Sequence, residues 1–396
     1  MKNLRVAIIG CGKIADQHVL AMQRIPHCEL VAVCDRELLM AKQLAERFGV
    51  ERCFAAAREL LEACRPDVVH ITTPPQSHFE LARQCLEFDS HVYVEKPFTV
   101  TAREAAGLVQ LAQERNLKVT AGHNLQFTPE MLKMRQLIQK GFLGGEPIHL
   151  ESHFSYELGD AGYVGAFLGN SKHWVHQLPG QLFHNIVSHG LAKLVEFLDE
   201  DITDITAIAH QSPPLQKFPN LRVMDELRAL LRDTKGTTAF FCFTTQIKPA
   251  LNELRVFGPR NSLTVNHISG TVTREKAGSF KSYLTFFLPP LLAARQQLGG
   301  AFANMAAFLG CRLYQDFGMK ELIDRFYSSI RTGAPAPIPY REIILTARIM
   351  DAIFAQIYPG RERVAITDQT KKQTADYANV ADSTLISDLR PLPSDL

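Results

Sequence analysis

The chain has one tryptophan, no CxxC pair and almost no net charge across its 396 residues. Each shortage excludes something. A formal net charge of +2, with no basic stripe interleaved by aromatics, lacks the electrostatic footprint of a nucleic-acid binder. The eight cysteines, at 11, 28, 34, 53, 64, 85, 242 and 311, are scattered, and several fall inside predicted strands or helices. They read as buried thiols of a reducing compartment, not as a disulfide framework or zinc site. His173, His176, His184 and His189 follow no HExxH or paired-ligand spacing, so no metal is expected. The first strand begins by residue 4, so a signal peptide is not expected. No apolar stretch of about 20 residues runs uninterrupted, so no transmembrane helix is expected. There is no internal repeat.

What is present is ordinary soluble-protein composition, 46% hydrophobic and 21% charged, in a chain long enough for two domains. The informative stretch is the first 35 residues. An apolar run, Leu4 to Ile9, meets Gly10-Cys11-Gly12-Lys13-Ile14-Ala15, and Asp35 lies 20 residues past Ala15. A dinucleotide-binding βαβ unit needs this layout. Gly10 permits a tight turn, Gly12 lets backbone approach a pyrophosphate, and Ala15 lets the helix pack closely on the strand. Lys13 and Ile14 open that helix, whose free N–H groups and positive dipole end suit phosphates. Asp35 can accept hydrogen bonds from the adenosine ribose. NAD is therefore favoured over NADP, and Arg36 softens the preference.

Up to residue 124 the pattern alternates strands (4–9, 29–34, 52–54, 67–71, 90–94, 118–122) with helices (13–24, 37–48, 57–64, 77–88, 101–115). This predicts a Rossmann-type, doubly wound parallel sheet over residues 1–124. Ligands bind such sheets at the carboxyl ends of the strands, so Thr72, Thr73, Pro74, Glu95, Lys96 and Asn124 are candidates for chemistry. From 125 to 360 the reading is an α+β domain for substrate and oligomerisation. A helix at 129–140 and strands at 147–157, 204–210, 222–232, 237–246, 252–257 and 262–268 predict a large, mostly antiparallel sheet. Helices at 180–198, 318–332 and 340–357 complete it, and a polar tail occupies 361–396.

Two constellations carry chemistry. Lys96, after the buried strand HVYV, points toward the cleft and can polarise a hydroxyl or exchange a proton, while Pro97 fixes the backbone. On the helix QLFHNIVSHGLAKLVEFL, Asn185 and His189 are four residues apart and share a face, with His184 off it.

The ordered segments VAIIGCGKIA, VAVCD, ITTPPQSHFELA, VYVEKPF, VTAGHNLQFTP and GGEPIHL resemble the glucose–fructose oxidoreductase, inositol dehydrogenase and MocA family. Later, NELRVFGPRNSLTV and IRTGAPAPIPYREIILTARIMDAIF fit its second domain. The resemblance covers residues 3–275 and 317–358. It implies that Lys96 binds the reacting hydroxyl and that His189 is the general acid or base. It places Thr72, Thr73, Pro74 and His78 beside the nicotinamide half, and Asn124 near the substrate. The family's helical pattern G-x-x-x-D-x-G-x-H-x-x-D is altered here: Asn185, Val187 and Ala192 replace Asp, Gly and Asp. Gln126 stands where an arginine is common.

The implied activity is NAD-dependent oxidation or reduction of a secondary hydroxyl or keto group on a sugar, sugar nucleotide or polyol. Alternatives are a redox-neutral, NAD-retaining glycosidase or lyase and a non-catalytic NAD-binding protein. Trp174 can stack on a sugar face or pack. A homodimer or homotetramer through the C-terminal sheet, in the cytoplasm, is expected. Residues 278–316 depart from the family pattern. Pro289-Pro290 and Gly299-Gly300 predict two short apolar helices here. They could pack on the sheet, form an oligomer interface, or touch the inner membrane face through 281–314.

Overall fold

A computed structural model describes residues 3–158, 168, 173–199, 201–218, 223–278, 283–310 and 316–359. The polar tail and much of the loop 157–180 lie outside the described residues.

The first half alternates β1 (Leu4–Ile9), α1 (Lys13–Met22), β2 (Cys28–Cys34), α2 (Leu38–Phe48), β3 (Cys53–Phe54) and α3 (Ala57–Cys64). It continues with β4 (Val68–Ile71), α4 (His78–Glu87), β5 (His91–Val94), α5 (Ala102–Glu114) and β6 (Val119–Ala121). The strands are parallel, in the order β3-β2-β1-β4-β5-β6. Every residue of β4 is buried, as helices on both faces require of a central strand. The winding reverses between β1 and β4, and a crevice opens there at the carboxyl ends.

The second half runs α6 (Pro129–Gln139), β7 (His149–Ser155), α7 (Gln181–Ile186), α8 (Ser188–Val195), β8 (Ile202–His210) and α9 (Pro213–Gln216). Then come β9 (Glu226–Asp233), β10 (Thr238–Thr244), β11 (Asn252–Phe257), β12 (Asn261–Asn266) and β13 (Thr271–Lys276). The last elements are α10 (Leu284–Leu309), α11 (Phe317–Thr332) and α12 (Tyr340–Ile357). Seven strands pair in the order β13-β12-β11-β7-β10-β9-β8, antiparallel except β7 with β10. Along β7, Leu150, Ser152 and Phe154 face inward and alternate with half-buried residues, so only one face is covered. α8 lies on that face, where Ser152 Oγ donates to the Gly190 carbonyl at 3.0 Å.

Five features differ from the sequence reading. The helix expected over 180–198 is two segments that meet at Val187, although the turn between them stays helical in φ and ψ. The sequence pattern groups α11 with the second sheet, but its Met319, Leu322, Phe326 and Tyr327 join the core of the first. α12 serves both cores, with Ile343 in one and Ile349 and Ile353 in the other. An amphipathic period identifies an apolar face but not its partner. β13 was missed, because its polar TVTREK carries little hydrophobic signal.

The fifth difference is in the insertion, where a single helix, α10, runs through both breaks. Its prolines lie inside the helix, where each lacks an N–H to donate to the preceding turn, and its glycines carry only a propensity cost. Side chains clamp it to the edge strand β13. Gln296 Oε1 accepts from Arg274 N at 2.9 Å while its Nε2 donates to Arg274 O at 3.0 Å. Asn304 Nδ2 donates to Ser269 O at 2.7 Å.

Candidate active site

β1 ends in a turn that only glycine fits. Gly10 has φ +100°, and a Cβ there would lie 2.7 Å from the Thr72 carbonyl carbon. Thr72 closes on the turn, with its Oγ1 donating to Gly10 O at 2.5 Å and its N–H to Ile9 O at 2.9 Å. Gly12 precedes α1 in an extended conformation, and no side chain caps the helix. The first-turn N–H groups beside the cavity therefore keep their anion-binding capacity. Asp35 tightens the same loop: its Oδ2 accepts from Cys11 N at 2.7 Å and its Oδ1 from Glu37 N at 2.9 Å.

A cavity of about 1350 Å³ extends from this loop to the face of α7 and α8. Gly10, Gly12, Ile14, Asp35, Arg36, Thr72, Thr73 and Pro74 line one end. Glu95, Lys96, Asn124, Trp174, Asn185 and His189 line the part beyond. An uncapped helix start, a glycine turn and a ribose-height carboxylate on one wall suit a dinucleotide. Three candidates do not line it. Ala15 is buried beneath the loop, and Lys13 is exposed. His78, expected at the nicotinamide, is buried behind the wall. Its ring nitrogens lie 2.9 Å from Pro97 O and 2.7 Å from Thr73 O, so it braces the two segments that carry the site. Gln126 is also off the cavity, donating to Ala192 O at 3.0 Å and Glu342 Oε2 at 3.2 Å.

Lys96 leaves β5 through a cis bond to Pro97, and its Nζ is 3.5 Å from the Asn185 carbonyl. Glu95 behind it is buried. Burial pushes its carboxyl up, but the His18 hydrogen bond, the Lys96 charge and the Lys96 N–H together hold it below the ordinary value. Gly122 makes room for this carboxylate, since a Cβ there would stand 2.8 Å from Glu95 Oε1. His189 lies against Phe154, ring centres 5.9 Å apart. Burial first, then the charges of Lys96, His123 and Lys193, push its pKa well below the ordinary histidine value. The ring is therefore neutral and can accept a proton. Asn124 Oδ1 is buried without a partner among the described residues and offers an acceptor at the same wall. Trp174 is held through its carbonyl by Gln76 Nε2 at 2.9 Å.

Sequence reasoning missed a polar cluster at the far wall. Glu130, Asn252 and His267 line the cavity, and Lys193 lies fully buried behind them. Only Lys193 left a signal, as a charge inside the apolar run GLAKLVEFL. The others are isolated polar residues that the fold assembles.

Comparisons with known proteins agree with this geometry. Residues 4–123 match the oxidoreductase family with an NAD-binding Rossmann fold, and residues 131–264 match the GFO/IDH/MocA C-terminal domain. The D-glucoside 3-dehydrogenase of Escherichia coli (strain K12) is 34% identical over 142 residues, 36% of this chain and 40% of that protein. The dTDP-3,4-didehydro-2,6-dideoxy-alpha-D-glucose 3-reductase of Saccharopolyspora spinosa is 35% identical over 144 residues, 36% of this chain and 43% of that one. The chain thus matches about two fifths of the length of these relatives. Among solved structures, the WlbA dehydrogenase from Bordetella pertussis, in complex with NADH and UDP-GlcNAcA, superposes with a TM-score of 0.70. That match has 17% identity and covers 89% of this chain and 95% of the other, a likeness of fold.

Proposed function

The chain belongs to the Gfo/Idh/MocA oxidoreductase family and binds NAD, and from that premise we propose that it oxidises or reduces a secondary hydroxyl or keto group of a sugar, sugar nucleotide or polyol. One observation carries the proposal: Lys96 and His189 line one cavity with the phosphate-binding loop, although 93 positions separate them in the chain. The sugar derivatives in the names of the matched relatives support the substrate class.

Gly10, Gly12, Ile14, Asp35, Arg36 and Thr72–Pro74 would hold NAD, which when bound takes up or gives the carbinol hydride. The protein's own groups handle the proton and the charge. His189, neutral in the resting protein, removes the hydroxyl proton, and the Lys96 ammonium stabilises the alkoxide charge that develops. Asn185 and Asn124 orient neighbouring hydroxyls, and Trp174 offers an apolar face. With Asn at 185, no carboxylate supports His189 from that position.

NADH formation should be followed against glucosides, nucleotide sugars and inositols, with NADH binding measured in parallel. Lys96→Ala and His189→Ala should each lower turnover at least about a thousandfold while NADH binding persists. Full turnover in either variant overturns the assignment.

No described helix is long and apolar enough to cross a membrane. For α10 we assign contact with an anionic membrane surface, in the cytoplasm. Opposite its β13-facing Gln296, Gly300 and Asn304, the helix presents Leu284, Phe287, Leu291, Leu298, Phe302, Met305 and Leu309, all exposed. Between Glu275 and Asp316 the sequence carries Lys276, Lys281, Arg295 and Arg312 and no acid. An apolar stripe with a basic flank suits anionic lipid, whereas a second copy of the stripe would bring like charges together.

A further inference from the structure

Where the β12–β13 turn and α6 form the cavity wall, a carboxylate and a histidine make a buried dyad. Glu130, in the first turn of α6, places Oε1 2.8 Å from His267 Nδ1, and both side chains are almost wholly buried. The His267 main-chain N–H donates to Asn252 O at 2.9 Å, and the Asn252 side chain accepts from Lys193 Nζ at 2.9 Å. Asn304 of α10 clamps the turn through Ser269. The dyad is thus held from α6, β11, α8 and α10, while His267, Glu130 and Asn252 all line the cavity.

The protonation of this dyad follows from its surroundings. Burial alone would push the Glu130 carboxyl up, but the hydrogen bond from His267, with those from the Thr128 side chain and the Glu130 main-chain N–H, holds it below its ordinary value, and it stays ionised. Burial, then the Lys193 charge, pushes His267 down to about 4 against the pull of Glu130. A neutral ring beside a carboxylate carries its proton on Nδ1 and donates it there. Nε2 is left with a lone pair, buried and without a partner among the described residues. A buried acceptor without a donor is destabilising.

We propose that His267 Nε2, oriented by Glu130, is a second substrate subsite that accepts a hydrogen bond from a hydroxyl remote from the reacting carbinol. This rests on the carbohydrate reading above and narrows it. The group at this wall must be a neutral donor. A phosphate or carboxylate would set lone pair against lone pair, with the Glu130 charge behind. The chemical class is therefore a polyhydroxylated substrate whose charged portion, where it has one, lies elsewhere in the cavity.

The test measures binding by calorimetry on the NADH-loaded protein. The probes are methyl β-D-glucopyranoside with its monodeoxy analogues, UDP-N-acetylglucosamine and myo-inositol. His267→Phe should weaken the bound probe about tenfold or more and leave NADH binding unchanged. One monodeoxy analogue should bind wild type and His267→Phe alike, because its missing hydroxyl is the one His267 receives. His267→Gln, which keeps an acceptor, should recover part of the loss. Unchanged probe affinity in His267→Phe overturns the subsite and leaves the dehydrogenase reading intact. Equal weakening of every analogue also overturns it, as a merely structural effect. If no probe binds even the wild type, the carbohydrate reading itself falls, and the subsite with it.

Discussion

His18 and Glu95 stand 77 positions apart in the sequence and 2.9 Å apart in the fold, Nε2 to Oε1, both buried. His18 belongs to α1, the helix whose N-terminus faces the cavity, and Glu95 adjoins Lys96. The contact continues inward. His18 Nδ1 lies 2.8 Å from His70 Nδ1, and His70 Nε2 lies 2.8 Å from the Tyr327 hydroxyl. With Glu95 ionised, one set of protons satisfies every link. Tyr327 donates to His70, His70 to His18, and His18 to Glu95. Four elements are thereby joined: the phosphate helix α1, strand β4, the end of β5 that carries Lys96, and α11 from the far end of the chain.

His18→Leu should destabilise the protein by about 3–5 kcal/mol, because it leaves a buried carboxylate without its main donor. Glu95→Gln, which removes the charge, should cost less, and the double variant should lose less than the two single losses summed. Denaturant unfolding of all four proteins gives the coupling; strict additivity would show that the two groups do not interact.

The pH dependence of stability has an identifiable source in Glu342. Burial first, then neighbouring Glu196, pushes its carboxyl from 4.5 up to about 7, against Gln126, Arg341 and Arg135. The folded-state pKa lies above the unfolded value, so the ionised form disfavours the fold. Stability present at low pH is lost as pH rises through about 7, by roughly 3 kcal/mol. Glu342→Gln should remove this decline and be the more stable protein at about pH 8. Glu95 acts in the opposite direction: its depressed pKa contributes stability above 4.5 that is lost as pH falls below it. Parallel unfolding curves of wild type and Glu342→Gln across pH would contradict the assignment.

Asp35 is expected to set cofactor choice. Its carboxylate holds the Cys11 N–H and also lines the cavity, where a 2′-phosphate would meet its charge. Asp35→Ala should weaken NADH about tenfold and move the NADPH-to-NADH affinity ratio toward NADPH. Nicotinamide fluorescence titration reads both, and an unchanged ratio rejects this role.

The stripe on α10 is tested with vesicles. Wild type should sediment with vesicles containing phosphatidylglycerol and much less with pure phosphatidylcholine. Phe287→Glu combined with Phe302→Glu should abolish sedimentation while NADH binding persists. A protein that ignores both vesicles, or a dimer that the same variant dissociates, would overturn the membrane assignment, the latter in favour of a second copy.

The sequence alone determined the cofactor end of this protein. Gly10, Gly12 and Asp35 act through backbone geometry and a short βαβ spacing, both local properties that a linear pattern records. Sheet type was legible for the same reason, since continuous apolar strands and alternating strands differ in period. That Lys96 and His189 line one cavity was expected because each sits in a motif of the family that the chain resembles. The tertiary structure alone decided the rest. Glu130, Asn252, His267 and Lys193 come from four different elements and share no spacing, so only folding gathers them. α11 packs on the first sheet, not the second, because an apolar face specifies burial without naming its partner. α10 stays whole through Pro289-Pro290 and Gly299-Gly300, while hydrogen bonds from Gln296 to β13 and from Asn304 to the turn before it, invisible along the chain, clamp it in place.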